Sequence, residues 1–102
     1  YEAQRLVARV FQALRIAVNL ELSTLQNVLP QAWEALKENG RLLVITFHSG
    51  EENIVRKILG NMIGENKAKS IFAETIFLVP SVEELRQNLR ARSARLFGIS
   101  KN

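Results

Sequence analysis

The stretch RLLVITFHSGEENIVRKI, residues 41–58, constrains this chain more than any other. Leu42, Leu43, Val44, Ile45 and Phe47 form an almost unbroken apolar run, the pattern of a strand covered on both faces, as in a parallel sheet. Such a strand is expected near the middle of its sheet. His48, Ser49 and Gly50 follow it, and in open α/β sheets ligands gather at the carboxyl ends of strands. Ser49 and Glu52 have the spacing of a capping box, in which hydroxyl and carboxylate satisfy the first N–H groups of a helix. A helix is therefore expected from Glu51 to about Gly60, and the turn before it is the candidate site.

Upstream, Leu6, Val7, Val10, Phe11, Leu14, Ala17 and Val18 recur at helical intervals, which predicts a helix over about residues 3–18. Its other face carries Arg5, Arg9, Gln12 and Arg15, either a solvated surface or a stripe that contacts anions. Asn19 marks a bend or cap. A second helical pattern, over about 21–38, runs through Leu22, Leu25, Leu29, Trp33 and Leu36 to the Asn39-Gly40 stop, with a kink or restart expected at Pro30. Trp33 either stacks a base or packs in the core.

Strands are expected over about 41–47, 70–79 and 93–101, the second ended by Pro80. Ser81 and Glu84 give another capping-box spacing and a short helix to about Asn88. The fold class is thus α/β, a single domain of three strands with helices. A crossover helix between the first two strands makes them a parallel unit, and a short connection lets the last return antiparallel.

At 102 residues with 47% hydrophobic content, the chain suffices for one small globular, soluble domain or a piece of a larger one. Its first residue is Tyr1 and its one methionine is Met62, so a fragment of a longer chain is expected. No apolar run approaches the roughly 18 residues of a membrane span, and the charged N-terminus is unlike a signal peptide. A cytoplasmic protein without a membrane partner is the expectation. Zero cysteines and one histidine leave no thiolate or His-rich metal site. The net charge of +4 favours a polyanionic partner, though excess lysine and arginine also serve solubility.

His48 suits a general base or a hydrogen-bonding partner for substrate; equally it suits the satisfaction of local backbone groups. Glu51 and Glu52 suit an acid pair or, more simply, the first turn of a helix. In the segment NLRARSARL an extended backbone would put Arg90 and Arg92 on one face and Arg95 on the other. RNA phosphate contact and protection of a sheet edge both account for such arginines. No G-x-G-x-x-G turn and no P-loop is present, so nothing here cradles a nucleotide cofactor unaided.

Three blocks, FQALRIAVNLEL from Phe11, GRLLVITFHSGEENIVRKIL from Gly40 and VPSVEELRQNLRARSARL from Val79, together resemble the C-terminal part of the bacterial ribosomal RNA small-subunit methyltransferase H family, also called MraW. The family pattern is kept at Phe11, Gln12, Ala13, Arg15, Asn19, Glu21, Phe47, His48, Ser49, Glu51, Asn88, Arg90, Arg92 and Ser93. It is broken where Gly50 stands for Leu, Glu52 for Asp, Asn53 for Arg, Arg56 for Lys and Leu89 for Pro.

The resemblance implies part of a class I, Rossmann-like methyltransferase sheet whose last strand inserts antiparallel between two earlier ones. It implies transfer of a methyl group from S-adenosylmethionine to N4 of a cytidine in 16S rRNA of the small ribosomal subunit. The cofactor loop would belong to a missing N-terminal half, leaving this chain inactive alone and without cofactor-binding residues of its own. His48 and Ser49 are the catalytic candidates, and Arg15, Asn19, Arg90 and Arg92 the candidates for RNA or substrate. Exposed apolar surface left by the absent half would also allow a homodimer, and the rival class is a basic RNA-binding or structural module without catalysis.

Overall fold

The last strand of the chain is its structural centre. The computed structural model describes residues 2–72 and 75–102, and in it every strand pairs with β4 (Arg95–Lys101). β1 (Arg41–Thr46) lies on one side, with Leu42 opposite Ile99 and Val44 opposite Phe97. β2 (Ala68–Ser70) and β3 (Phe77–Leu78) share the other side, Ser70 opposite Ile99 and Phe77 opposite Phe97. All three run antiparallel to β4 and hence parallel to one another, as a strand–helix–strand order requires. The fold is the mixed α/β class expected, with the closing strand inserted between the earlier ones.

Side-chain alternation gives the sheet two unlike faces. Phe97 and Ile99, both 0% exposed, join Val55 and Leu59 of α2 (Ser49–Gly64), Leu29 and Trp33 of α1 (Glu2–Ala35), and Ala68. Leu42 and Val44 pack against that core, whereas Leu43 and Ile45, on the opposite face, are 56% and 58% exposed. Among the described residues β1 is therefore an edge strand covered on one face, not the doubly covered central strand its composition predicts. β4 takes the centre because its own pattern, LFGIS, brings two large apolar residues to the helices and Gly98 to the other face. A Cβ on Gly98 would stand 2.6 Å from Ile71 Cδ1 and 2.9 Å from Leu43 Cδ2, so those two side chains close over the space it leaves.

The expected helices over 3–18 and 21–38 are one helix, α1, which passes through Asn19 and Pro30 without interruption. Pro30 removes one N–H and leaves the Gln26 carbonyl without its helical donor. Both positions are exposed, so that carbonyl is open to solvent, while Leu29 and Trp33 are buried on either side of the proline. Asn39 takes the left-handed conformation (φ 66) after the helix, and Gly40 allows an approach in which a Cβ would lie 2.8 Å from the Lys37 carbonyl. α2 likewise runs past Gly60 to Gly64, because Met62 and Ile63 continue its apolar face.

The strand expected over 70–79 is two short strands. Ser70 Oγ donates to the Thr75 carbonyl (2.6 Å) and accepts from the Phe72 N–H (3.1 Å), folding the backbone out of the ladder after β2. Part of that expected strand, Ala73 and Glu74, lies outside the described residues. The strand expected over 93–101 begins at Arg95.

The end of α1 is tied to the end of the chain. Lys101 Nζ donates to the carbonyls of Trp33 (3.2 Å) and Leu36 (3.0 Å) and lies 5.2 Å from the Trp33 ring centroid. A cation here meets both the last carbonyls of a helix terminus and the negative face of an indole. Lys101→Met keeps the stem and removes the charge; it should lower unfolding stability by about 1–2 kcal/mol in urea titration, with Lys101→Arg restoring part of the loss.

Candidate functional site

The turn between β1 and α2 is built by a reciprocal cap. His48 is still extended (φ −144, ψ 164) and Ser49 opens the helix, so His48 is the cap residue, one position before the expected Ser49–Glu52 box. Its Nδ1 accepts from the Glu51 N–H (3.4 Å), and the Glu51 carboxylate reaches back to accept from the Phe47 N–H (3.0 Å). An accepting Nδ1 leaves the proton of a neutral imidazole on Nε2, which lies 3.4 Å from Glu51 Oε1. Glu52 turns away to Arg56 (2.6 Å). The two carboxylates thus serve separate partners, as their 100° divergence on a helix dictates. The His48 side chain remains 50% exposed, so its ring edge is available at the strand end.

A second capped segment faces this turn. Ser81 Oγ accepts from the Glu84 N–H (3.1 Å) and starts α3 (Val82–Gln87). Asn88 ends it, and its side-chain oxygen accepts from the Arg90 N–H (3.1 Å), opening a 3-10 helix over Leu89–Ser93. Arg90 and Arg92 therefore stand on a tight helical turn, so the shared face that an extended backbone would give them does not apply. Arg95 Nη1 holds the end of the turn by donating to the carbonyls of Arg92 (3.3 Å) and Ala94 (2.9 Å).

Between the two segments lies an open groove of ≈ 270 Å³, lined by Ile45 and Phe47 of the strand end and by Glu84, Asn88, Arg90, Ala91 and Ala94. A shallower one, lined by Leu89, Arg90, Arg92 and Ser93, adjoins it through Arg90. The structure thus joins the residues just before His48 to the arginine-bearing turn. Leu22 Cδ1 of α1 would lie 3.5 Å from a Cβ on Gly50; Asn19, one helical turn earlier, is exposed and lines neither groove. Arg15 is a further turn away and lines neither groove. Glu84 and Asn88 were not singled out as site residues from sequence. The signal for Asn88 was its place as a capping residue after a short helix, and Glu84 carried none beyond its spacing from Ser81.

Beneath the turn, Thr46 is 1% exposed and its Oγ1 has no hydrogen-bond partner among the described residues. Thr46→Val should therefore be neutral or stabilising by up to about 1 kcal/mol. His48→Ala, by contrast, should cost about 1 kcal/mol through the lost cap, and His48→Asn should recover most of it. Urea unfolding of the three variants checks both outcomes.

The described residues hold no cluster of His, Cys, Asp and Glu able to bind a metal, and no helix among them is long and apolar enough to cross a membrane. Comparison with known proteins gives a family. The chain is 46% identical over 88 residues to the ribosomal RNA small subunit methyltransferase H of Coprothermobacter proteolyticus, covering 86% of this chain and 29% of that protein. It is 47% identical to the protein of that name from Elusimicrobium minutum, over 86% of this chain and 29% of the relative. With the Bacteroides thetaiotaomicron protein the identity is 44%, over 88% and 33%. The chain spans about a third of the length of these relatives. The family model described as MraW methylase family matches residues 2–102, and the chain belongs to that family.

Proposed function

We propose that this chain supplies the acceptor side of an S-adenosylmethionine-dependent methyltransferase that modifies N4 of a cytidine in 16S rRNA. The carrying observation is the groove that joins the carboxyl end of β1 to the Arg90-bearing turn. Strand ends are where α/β sheets bind ligands, and the relatives are named for methylation of small-subunit ribosomal RNA. His48 and Ser49 follow the Phe47 that lines this groove and are the candidates to position the exocyclic amine, whose lone pair is delocalised into the ring, so that an acceptor beside its N–H groups assists it; the Ser49 hydroxyl is that acceptor, since the cap occupies His48 Nδ1. Arg90 and Arg92 hold the RNA backbone, and Asn19 and Arg15 extend the contact along α1. The reaction takes place in the cytoplasm, on the small ribosomal subunit.

The residues present do not fit S-adenosylmethionine by themselves. No glycine-rich turn follows β1, and the Phe47 and Glu51 N–H groups beside it already serve the Glu51 and His48 caps. The cofactor cradle belongs to the part of a family methyltransferase that this chain does not span, and the isolated chain is inactive.

Two measurements test this. Calorimetric titration of the chain with S-adenosylmethionine should give no saturable binding, and micromolar affinity would overturn the assignment of the cradle elsewhere. Binding to a 16S rRNA fragment bearing the target cytidine should weaken as salt rises, and Arg90→Ala and Arg92→Ala should each flatten the log–log slope by about 0.7–1. Unchanged slopes would remove those arginines from the RNA contact.

A further inference from the structure

Arg41, Ser100 and Lys69 form one row across the sheet, at the end remote from His48. Ser100 pairs with Arg41 on one side and with Lys69 on the other, and directly paired residues direct their side chains to the same face. By alternation from Ile99, which lies against the helices, that face is the open one. Adjacent strands lie about 4.8 Å apart, so the two cationic side chains start about 10 Å from each other with the serine between them. The length of β1, about 20 Å, separates this row from the His48 turn.

The row lines an open groove of ≈ 370 Å³ whose other walls are Asn39, Ser70 and Ile71, and no carboxylate side chain lines it. Arg41 and Lys69 are exposed, and neither side chain has an ion-pair or hydrogen-bond partner among the described residues. Ser100 is only 7% exposed, and its hydroxyl likewise has no partner among them. Unlike Thr46, whose hydroxyl is sealed off, Ser100 opens into the groove. The Ser70 hydroxyl is already engaged, donating to Thr75 and accepting from Phe72. Protection of sheet edges accounts for a cation on each outer strand. It does not account for a nearly buried hydroxyl left without a partner between two unneutralised cations, since unmade hydrogen bonds cost stability. One hydroxyl donor flanked by an ammonium and a guanidinium is complementary to a tetrahedral oxyanion.

We propose that Arg41, Ser100 and Lys69 bind a phosphate group, the serine hydroxyl donating to one oxygen and the two cations to others. An RNA backbone and free phosphate share this ligand chemistry. The site stands on the strand register and is independent of the methyltransferase reading above.

The test follows the Ser100 and Lys69 amides of the isotope-labelled chain by NMR at constant ionic strength. Two probes are titrated separately: inorganic phosphate, and an RNA duplex of adenosine and uridine alone, which lacks the cytidine that the functional reading requires. Saturable shifts at both amides are expected. Shifts with RNA alone identify a backbone phosphate as the ligand, shifts with inorganic phosphate alone a small phosphate, and shifts with both any accessible phosphate group. Arg41→Gln and Lys69→Gln should each weaken binding about tenfold and Ser100→Ala about threefold, with folding verified by circular dichroism. Lys57→Gln, which removes the same charge from an exposed position of α2, should leave it unchanged. Absence of saturable shifts with both probes, an equal loss in Lys57→Gln, or undiminished binding by Ser100→Ala would each overturn the proposal. A phosphate site found here without any contribution of Arg90 or Arg92 to RNA binding supports the proposal and counts against the functional reading alone.

Discussion

The structure depends on the burial of Phe97 and Ile99. These two side chains of β4 lie against Val55, Leu59 and Trp33, and everything else is arranged so that this contact is dry. A fully buried large apolar side chain is worth about 1.5–3 kcal/mol relative to exposure, so the pair outweighs any surface ion pair in the molecule, such as Glu65–Lys67 at 2.9 Å. β1 contributes Leu42 and Val44 to that layer, and Lys101 fastens the strand to the end of α1.

The candidate site follows from that scaffold. Because β1 is held by β4 along its whole length, the turn at His48 is fixed in position. The groove then needs only the Asn88-capped turn to bring Arg90 beside Phe47. Both walls are set by short-range caps, His48 with Glu51 on one side and Ser81 and Asn88 on the other. A strand end with polar caps and adjacent arginines is suited to an anionic substrate with a polar, flat group to position.

Where the sequence was legible, local physics and tertiary packing agree. The Ser81 cap, the Asn39-Gly40 stop and the antiparallel return of the last strand were readable because each is specified within a few residues or by a short connection. Pro30 and Gly60 misled for one reason: each is an intrinsic helix breaker, and in both cases neighbouring buried side chains outweigh the local cost. The strand over 70–79 misled because Ile, Phe and Val report β-propensity but not the side-chain bond by which Ser70 turns the backbone aside. β1 was read as central from an apolar pattern that is correct for its composition. Its exposed face and free edge show that composition anticipates a covering which these residues do not themselves provide. For the site, residue types marked His48, Ser49, Arg90 and Arg92, but the meeting of Phe47 with Glu84 and Asn88 is a long-range consequence of the β1–β4 register that no spacing encodes.

The Lys101 clasp and the position of β4 have a kinetic consequence. Each strand pair in the sheet includes residues from the final segment of the chain, and the bond from Lys101 to Leu36 joins groups 65 residues apart. Within the described residues α1 and α2 are local structures, whereas each ladder needs β4. High sequence separation of this kind slows folding and prolongs the lifetime of exposed apolar segments. Folding of this segment therefore waits on the pairing of β4 with β1, its most distant partner in sequence.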